Sequence, residues 1–443
     1  MVLKTLENAT HGKERARRRK QLMRQMGPDS IAIVPAATVK VRNRDTEYSY
    51  RQDSDFYYLS GFEEPEALLV LVPGRDSGEY LMFCRERDSE KETWHGRRLG
   101  VERAPEVLDA DDAFPIGDVD EILPGLLEGR EQIYYSLGKD TDFDQQLMEW
   151  LNRVRAKTRV ASEVPSSFVS LDFLLHEMRV FKTRSELSLM KRAAKISAAG
   201  HARAMQQCKP GMMEFEIEAE LIGAYKSQGA THAFLPIVGG GENGCILHYT
   251  ENNEELQDGD LVLVDSGAEY ASYAGDITRT YPVSGQFSDA QRDVYSLVLD
   301  SQLAAIDAVK PGAGWNEPHD AAVSVLTRGL IALGLLKGTY AKEIRDQGYR
   351  RFYMHRTSHW LGLDVHDVGE YKIDGQWREL EPGMVLTIEP GLYITSGRGI
   401  PRRYANIGIR IEDDVVVTRD GCEVLTSDVA KSIDEIEALM AGA

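Results

Sequence analysis

The sequence predicts an α+β protein of two domains: an N-terminal α/β domain, and a larger domain that contains two copies of a helix–helix–strand unit. Three observations predict this class. The chain has 443 residues, more than one hydrophobic core ordinarily organises. Strand-like and helix-like segments alternate in its first part. Further on, a helix pair followed by strand-rich sequence occurs twice, about a hundred residues apart.

The N-terminal domain is predicted to mix strands with helical segments. We expect strands at Ile31 to Pro35, Ala67 to Val72, Tyr80 to Cys84 and Gln132 to Tyr135, and one of the helices at Asp142 to Arg155. The polar segment from Ser162 to Ser170 is typical of a linker. We therefore place the boundary near Leu175, with domains at residues 1–175 and 176–443.

The helices of the second domain carry clear start signals. Thr183 and Glu186 form one capping box, and Ser288 opens another in the sequence S-D-A-Q. Each of these helices should end before a Lys-Pro-Gly sequence, and a second helix should follow it. The second helices are expected at Glu214 to Gln228 and at Glu317 to Leu333.

One short pattern, L-x-x-G-x5-(D/E)-x-G, closes both copies of the unit. It runs from Leu256 to Gly267 and again from Leu380 to Gly391, so Asp265 and Glu389 occupy equivalent positions at the ends of apolar strands. Two carboxylates that converge on one dry cavity need a cation, a shared proton or a basic partner.

Composition and charge exclude several classes of protein. Hydrophobic residues make up 42% and charged residues 28%, as in soluble globular proteins. A net charge of -19 argues against general nucleic-acid binding. No apolar run approaches the roughly 20 residues that span a membrane, and the charged N-terminus does not resemble a secretory signal. A basic cluster there favours a solvated helix face over a contact patch; it comprises Arg15, Arg17, Arg18, Arg19 and Lys20.

The four cysteines are scattered and include no C-x-x-C pair. The sequence therefore signals neither a disulfide framework nor a thiolate zinc site, and a reducing cytoplasm fits best. The segment G-G-G-E-N-G, residues 239–244, fits G-x-G-x-x-G but has strand-like sequence on both sides. It predicts a hairpin turn instead of a dinucleotide-binding loop.

Five residues form the strongest functional candidate: Asp265, Asp276, His359, Glu389 and Glu412. Each acid alone is more often a surface residue, and a lone histidine is more often a satisfied core residue. Together, at the ends of apolar strands, they favour hard or borderline divalent cations, with manganese ahead of zinc because oxygen ligands dominate. Four carboxylates match a two-metal site with the metals roughly 3.5–4 Å apart.

At these residues the chain resembles the pita-bread metallopeptidases (peptidase family M24, creatinase/aminopeptidase-like fold), and within them the bacterial aminopeptidase P group. The resemblance covers nearly the whole chain. The matching segments include E-Y-S-Y-R-Q-D-S-D-F-Y-Y-L-S-G-F, W-H-G-R-R-L-G, Y-A-G-D-I-T-R-T, S-H-W-L-G-L-D-V-H-D-V-G, E-P-G-M-V-L-T-I-E-P-G-L-Y and N-I-G-I-R-I-E-D-D.

The resemblance implies a duplicated pita-bread catalytic domain with two Mn2+ ions, for which Co2+ or Zn2+ are alternatives. Asp265 would hold one metal, Asp276 and Glu412 would bridge the pair, and His359 and Glu389 would complete the other. Glu389 would also carry the proton. The remaining residues that the resemblance assigns are the substrate-side histidines His248, His355 and His366, the supporting Arg410, and the substrate-pocket residues Trp94 and Tyr393.

In this family the residue at Trp94 reaches a neighbouring subunit's active site, which implies a homo-oligomer, a dimer or a tetramer. Two segments depart from the family pattern. His355 is followed by Arg356 and Thr357, where close relatives often have smaller residues, and Ala230 to Pro236 is less typical. Both departures bear on substrate preference beyond proline.

The leading functional hypothesis is an Xaa-Pro aminopeptidase, which releases the N-terminal residue from peptides with proline in second position. Prolidase, which cleaves Xaa-Pro dipeptides on the same fold, is the nearest alternative. Methionine aminopeptidase fits less well because of the large N-terminal domain. A noncatalytic peptide-binding or histone-binding module is the alternative of a different class, and the full ligand set argues against it.

Overall fold

The computed structural model describes residues 2–157, 160 and 163–442, and it divides the chain into two compact units, residues 1–178 and 179–443. The predicted division between residues 175 and 176 falls in the helix Asp172–Val180 and stays a prediction. Among the helices of these residues, none combines the length and apolarity that a bilayer crossing requires.

The first unit is built on a six-stranded mixed sheet. The strands of the unit are β1 (Ser30–Pro35), β2 (Val41–Asn43), β3 (Thr46–Glu47), β4 (Leu68–Leu71), β5 (Tyr80–Cys84), β6 (Asp112–Pro115), β7 (Gln132–Tyr134) and β8 (Ser167–Val169). The order in the sheet is β6-β5-β4-β1-β7-β8, and β1 pairs antiparallel with β4 and parallel with β7. The helices are α1 (Val2–Met26), α2 (Ser54–Ser60), α3 (Ser89–His95), α4 (Ala104–Leu108), α5 (Val119–Leu127), α6 (Thr141–Lys157) and α7 (Asp172–Val180).

Two expectations for this unit were wrong. Residues 167–169 of the predicted linker form β8, which pairs with β7 through backbone hydrogen bonds; Ser162, where the linker was to begin, lies outside the described residues. Arg18 and Arg19 are buried instead of solvated. Their guanidinium groups lie 4.0 Å from the ring centroids of Tyr58 and Tyr80, so aromatic faces compensate the lost hydration.

The second unit contains the repeated helices and five small sheets. Its helices are α8 (Arg184–Gln207), α9 (Glu214–Ser227), α10 (Asp289–Asp307), α11 (Glu317–Ala332), α12 (Tyr340–Arg345) and α13 (Ile433–Met440). Its strands are β9 (Thr231–His232), β10 (Ile237–Gly240), β11 (Leu261–Asp265), β12 (Ala268–Tyr270), β13 (Tyr273–Ala274), β14 (Thr278–Pro282), β15 (Lys372–Ile373), β16 (Gln376–Trp377), β17 (Val385–Ile388), β18 (Gly391–Ile394), β19 (Ile407–Arg410), β20 (Asp413–Val417) and β21 (Cys422–Val424).

Both predicted capping boxes are present. Thr183 caps α8 with Glu186, and Ser288 caps α10 with Gln291. The apolar faces of these helices and the strands β11, β14 and β19 contribute to one large core of the unit. The mixture of helices and strands in both units confirms the α+β class.

In both copies of the repeated pattern, the same two physical requirements explain the glycines: a positive φ at the first and close backbone approach at the second. Gly259 and Gly383 have φ of 85° and 96°, which only glycine adopts readily in these turns. A Cβ on Gly267 would lie 1.6 Å from the carbonyl oxygen of Gly275, and one on Gly391 would lie 2.8 Å from that of Ile409. The second glycine of each copy therefore permits close approach of the segment that leads to Asp276 or to Arg410.

The segment at residues 239–244 does not form the predicted hairpin turn. Strand β10 ends at Gly240, and residues 241–245 form a 3-10 helix. Residues 246–250, which a hairpin would have paired with β10, do not form a strand. Strand β10 pairs instead with β11, with Ile237 opposite Asp265.

Candidate active site

One cavity of 670 Å³ in the second unit contains the predicted metal ligands. The residues that line it are Phe234, Leu235, Ile237, Leu247, His248, Thr250, Asp265, Asp276, His355, Arg356, Ser358, His359, Val365, His366, Tyr371, Glu389, Arg410 and Glu412. The structure thus brings together the five candidate ligands, all three candidate substrate histidines and Arg410, which span about 165 positions of sequence.

Two of the acids, Asp265 and Asp276, lie in the first repeat. Asp265 ends β11, and the hairpin of β12 and β13 returns the chain to Asp276, as the spacing predicted. In the pairing of β11 with β14, Asp265 lies opposite Thr278. The backbone N–H of Glu412 donates to the carbonyl of Thr278 at 3.0 Å, which joins the second repeat to the first.

Backbone hydrogen bonds also fix the other two ligands. The N–H of Thr387 donates to the carbonyl of His359 at 3.0 Å, and the N–H of Glu389 donates to that of Thr357 at 2.8 Å. The segment with His359 therefore runs beside β17 and its end, although it is an irregular loop in which Trp360 makes a single bridge to Leu386. His359 and Glu389 consequently face the same space.

The His359 ring is oriented as a metal ligand would be. Its Nδ1 lies 2.9 Å from the carbonyl oxygen of Trp360, which can only accept, so Nδ1 carries the proton. Nε2 faces a carboxylate oxygen of Asp276 at 3.5 Å and one of Glu389 at 3.6 Å. It is therefore the ring atom that would bind a cation shared with these carboxylates.

The carboxylates crowd together, and two of their oxygens have no hydrogen-bond partner among the described residues. Ligand atoms of Asp276, His359 and Glu412 all lie within 4.8 Å of one another. Within the described part of the chain, Asp265 Oδ1 and Asp276 Oδ1 are buried without a hydrogen-bond partner. Burial and the neighbouring Asp265 raise the pKa of Asp276 well above its usual value. Burial and Asp276 do the same to the pKa of Glu412, and burial raises the pKa of Glu389. The donor set fits divalent cations.

Arg410 connects the acids to the rest of the site. Its Nη2 donates to Asp265 Oδ2 at 2.6 Å, its Nε to Thr278 Oγ1 at 3.1 Å, and its Nη1 to the hydroxyl of Tyr393 at 2.9 Å. Burial opposes the charged guanidinium, but Tyr393 and Asp265 outweigh it and raise its pKa well above the usual range. Arg410 therefore stays a cation and offsets part of the negative charge.

His355 is held by a directional chain of hydrogen bonds. The hydroxyl of Tyr393 accepts from Arg410, so it donates to His355 Nε2 at 2.9 Å, and His355 Nδ1 donates to the carbonyl of Arg356 at 2.8 Å. Burial and the charge of Arg410 lower the pKa of His355 to about 3. The ring is neutral, so its 3.7 Å approach to Glu389 is no ion pair.

The remaining predicted residues fall at three places. His248 and His366 line the cavity, and the His366 ring lies 4.3 Å from that of His359, centroid to centroid. Tyr393 is buried and contacts the cavity wall through His355. Trp94 belongs to α3 of the first unit and is 79% exposed.

Sequence reasoning missed Thr278 and Asp414. Thr278 Oγ1 donates to Glu412 Oε2 at 2.6 Å and so orients that carboxylate. The N–H of Asp276 donates to Asp414 Oδ2 at 3.1 Å, which positions the backbone of Asp276. Both residues lie within two positions of a candidate ligand, in the segments D-I-T-R-T and I-E-D-D, and that adjacency was the available signal.

Comparison with known proteins gives the class of this fold and site. A model of metallopeptidase family M24 matches residues 188–419, more than half of the chain. The chain belongs to metallopeptidase family M24. A second model, the N-terminal domain of aminopeptidase P, matches residues 15–134.

Individual relatives narrow the class further. The chain is 46% identical over 429 residues to Xaa-Pro aminopeptidase of Escherichia coli K12, covering 96% of this chain and 97% of that protein. It resembles the structure of Pseudomonas aeruginosa aminopeptidase PepP with a TM-score of 0.96 at 55% identity, over 97% of this chain and 98% of that one. Zn-substituted E. coli aminopeptidase P in complex with product matches with a TM-score of 0.95 at 46% identity, over 97% and 98%.

Proposed function

We propose that this chain is an Xaa-Pro aminopeptidase, a metal-dependent hydrolase that releases the N-terminal residue from peptides with proline second. The observation that carries the proposal is the convergence of four carboxylates and Nε2 of His359 on one cavity. Full-length similarity to Xaa-Pro aminopeptidases supports it, and the prolidase alternative is not favoured by these relatives.

Two divalent cations fit the donor set. Asp265, Asp276, His359, Glu389 and Glu412 would hold them, and the predominance of oxygen ligands favours Mn2+, with Co2+ or Zn2+ as substitutes. When bound, the cations would lower the pKa of a water molecule and polarise the scissile carbonyl.

The residues around the ligands would perform the remaining chemistry. Glu389 would accept a proton from the attacking water and deliver it to the leaving proline nitrogen; burial, which raises the pKa of its carboxyl, supports this role. His248 would donate to the developing oxyanion. His355 and His366, which line the same cavity, would orient the proline side of the substrate.

Selectivity for proline follows from its tertiary amide. Proline has no backbone N–H, so a cavity that offers the scissile nitrogen no acceptor accommodates it without leaving a polar group unpaired. The apolar side chains Phe234, Leu235 and Ile237 give the cavity a wall against which a pyrrolidine ring can pack.

The test is a peptide panel on metal-stripped protein to which manganese, cobalt or zinc is added back. We expect activity on Xaa-Pro-Yaa peptides to return with metal. Asp276→Asn should abolish both turnover and stoichiometric metal binding, whereas Asp258→Asn, at an exposed position in the turn before β11, should change neither. Turnover of Xaa-Pro dipeptides alone would show a prolidase, and peptide binding without metal or turnover would show a noncatalytic module.

We also propose a cytoplasmic location and a homo-oligomer, either a dimer or a tetramer. The four unpaired cysteines support the first, because a reducing compartment preserves free thiols. Light scattering of the purified protein would measure the second.

A further inference from the structure

The wall of the cavity carries a positive charge, that of Arg356, to which the proposed function assigns no role. Its side chain is exposed and lines the same cavity as the candidate ligands. It follows His355 directly, and its carbonyl oxygen accepts the hydrogen bond from His355 Nδ1 at 2.8 Å. The guanidinium therefore extends from the backbone that fixes His355.

Two neighbours hold the Arg356 guanidinium without neutralising it. Nη2 donates to the side-chain oxygen of Asn316, and the guanidinium carbon lies 5.1 Å from the ring centroid of Trp377. Neither partner is an anion. Across the described residues, no carboxylate lies within ion-pair distance of Arg356, although several acids line the same cavity. A guanidinium has five N–H donors, so most of them remain available to a ligand.

Within the described residues, no acid of the cavity therefore forms an ion pair with Arg356. Metal ions would be held by the acids Asp265, Asp276, Glu389 and Glu412, whereas Arg356 supplies a positive charge beside His355. A short peptide has complementary polarity, with its ammonium at one end and a carboxylate at the other. The carboxylate is the ligand that a guanidinium binds best, through two parallel hydrogen bonds.

We propose that Arg356 is a specificity-determining residue that binds a carboxylate on the residue following proline. This inference rests on the proposed function, because it places the proline side of the substrate at His355. The carboxylate is either the free C-terminus of an Xaa-Pro-Yaa tripeptide or an Asp or Glu side chain in third position. Its binding would lower KM for such peptides and leave kcat nearly unchanged, since Arg356 touches no group that would react.

Four substrate peptides, assayed with the metal-loaded enzyme, distinguish the two sources of carboxylate. Ala-Pro-Ala is compared with Ala-Pro-Ala-amide, and Ala-Pro-Glu-amide with Ala-Pro-Gln-amide. We expect kcat/KM to be about five-fold higher for the charged member of at least one pair, mostly through KM, which is the size of an exposed charge-assisted contact. The preference should decrease as salt is raised from 0.05 to 0.5 M, values chosen to span about a three-fold change in screening length.

The variant Arg356→Gln should abolish the preference while retaining turnover of the amide peptides. Arg351→Gln is the matched control, because Arg351 is an exposed arginine five positions earlier that bonds the carbonyl of Arg398 and does not line the cavity. The Arg351→Gln variant should prefer the charged peptides as strongly as the unaltered chain does. Equal kcat/KM within both peptide pairs, or a preference that survives in Arg356→Gln, would overturn the inference. Absence of turnover on every peptide would instead contradict the proposed function.

Discussion

Replacing Thr278 by valine should weaken metal binding although it replaces none of the candidate ligands. Valine has nearly the shape of threonine but no hydroxyl. Thr278 Oγ1 donates to Glu412 Oε2 at 2.6 Å and accepts from Arg410 Nε at 3.1 Å, and the residue is fully buried. The substitution therefore leaves a carboxylate oxygen and a guanidinium N–H without their partner in a site that water reaches poorly.

The expected magnitude follows from those two contacts. A hydrogen bond to a charged group contributes about 1.5–3 kcal/mol. Loss of a residue that orients a metal ligand typically lowers metal affinity by about 10–100-fold, which corresponds to about 1.4–2.8 kcal/mol. We expect Thr278→Val to reduce manganese affinity within that range, and kcat/KM at limiting metal to fall in parallel. Thr278→Ser, which keeps the hydroxyl, should restore most of both.

Thr280 provides the matched control, two positions further along β14. It is also fully buried, but its hydroxyl donates to the backbone carbonyl of Arg410 at 3.1 Å and accepts from its N–H at 3.2 Å. Thr280→Val should lower the free energy of unfolding by about 1–3 kcal/mol, because it also leaves buried polar groups without a partner. Its manganese affinity should stay within about three-fold of that of the unaltered chain.

The assay is a competitive titration of Mn2+ against a chelator, paired with urea denaturation of the metal-free chain. If Thr278→Val and Thr280→Val show the same metal affinity, the reasoning that Thr278 acts on Glu412 is refuted.

Two further predictions follow from other contacts. Tyr393→Phe removes the hydroxyl between Arg410 and His355, so KM for Xaa-Pro-Yaa should rise about three- to ten-fold while manganese affinity stays constant; loss of metal affinity would contradict this. Asp367→Asn breaks a buried cluster with Lys182 and Arg179 and should cost about 3–5 kcal/mol of unfolding free energy at pH 7. Burial opposes the Asp367 carboxylate, but those cations lower its pKa, so its stabilisation is present above the unfolded pKa of about 4 and disappears as pH falls through the lower folded pKa. Urea denaturation at pH 7 and pH 3 should show the gap between variant and parent shrinking at acid pH; a constant gap would contradict the assignment.

The sequence by itself determined the repeated unit and most of the candidate ligand set. The capping boxes at Thr183 and Ser288, the glycines of the repeated pattern and the acids at apolar strand ends are local signals, set by backbone conformation and by the cost of burying charge. These signals need no knowledge of what packs against them, which is why they could be interpreted from the chain alone.

Partners distant in sequence were decided only by the tertiary structure. Thr278 acquires its role because β14 places it beside Glu412, 134 positions later, and Arg410 meets Asp265 across 145 positions. The Arg356 guanidinium likewise has Asn316 and Trp377 as its neighbours, and among the described residues no carboxylate forms an ion pair with it. Such contacts arise from the pairing of strands and loops between the two repeats, and no local pattern in the sequence encodes the distances between their side chains.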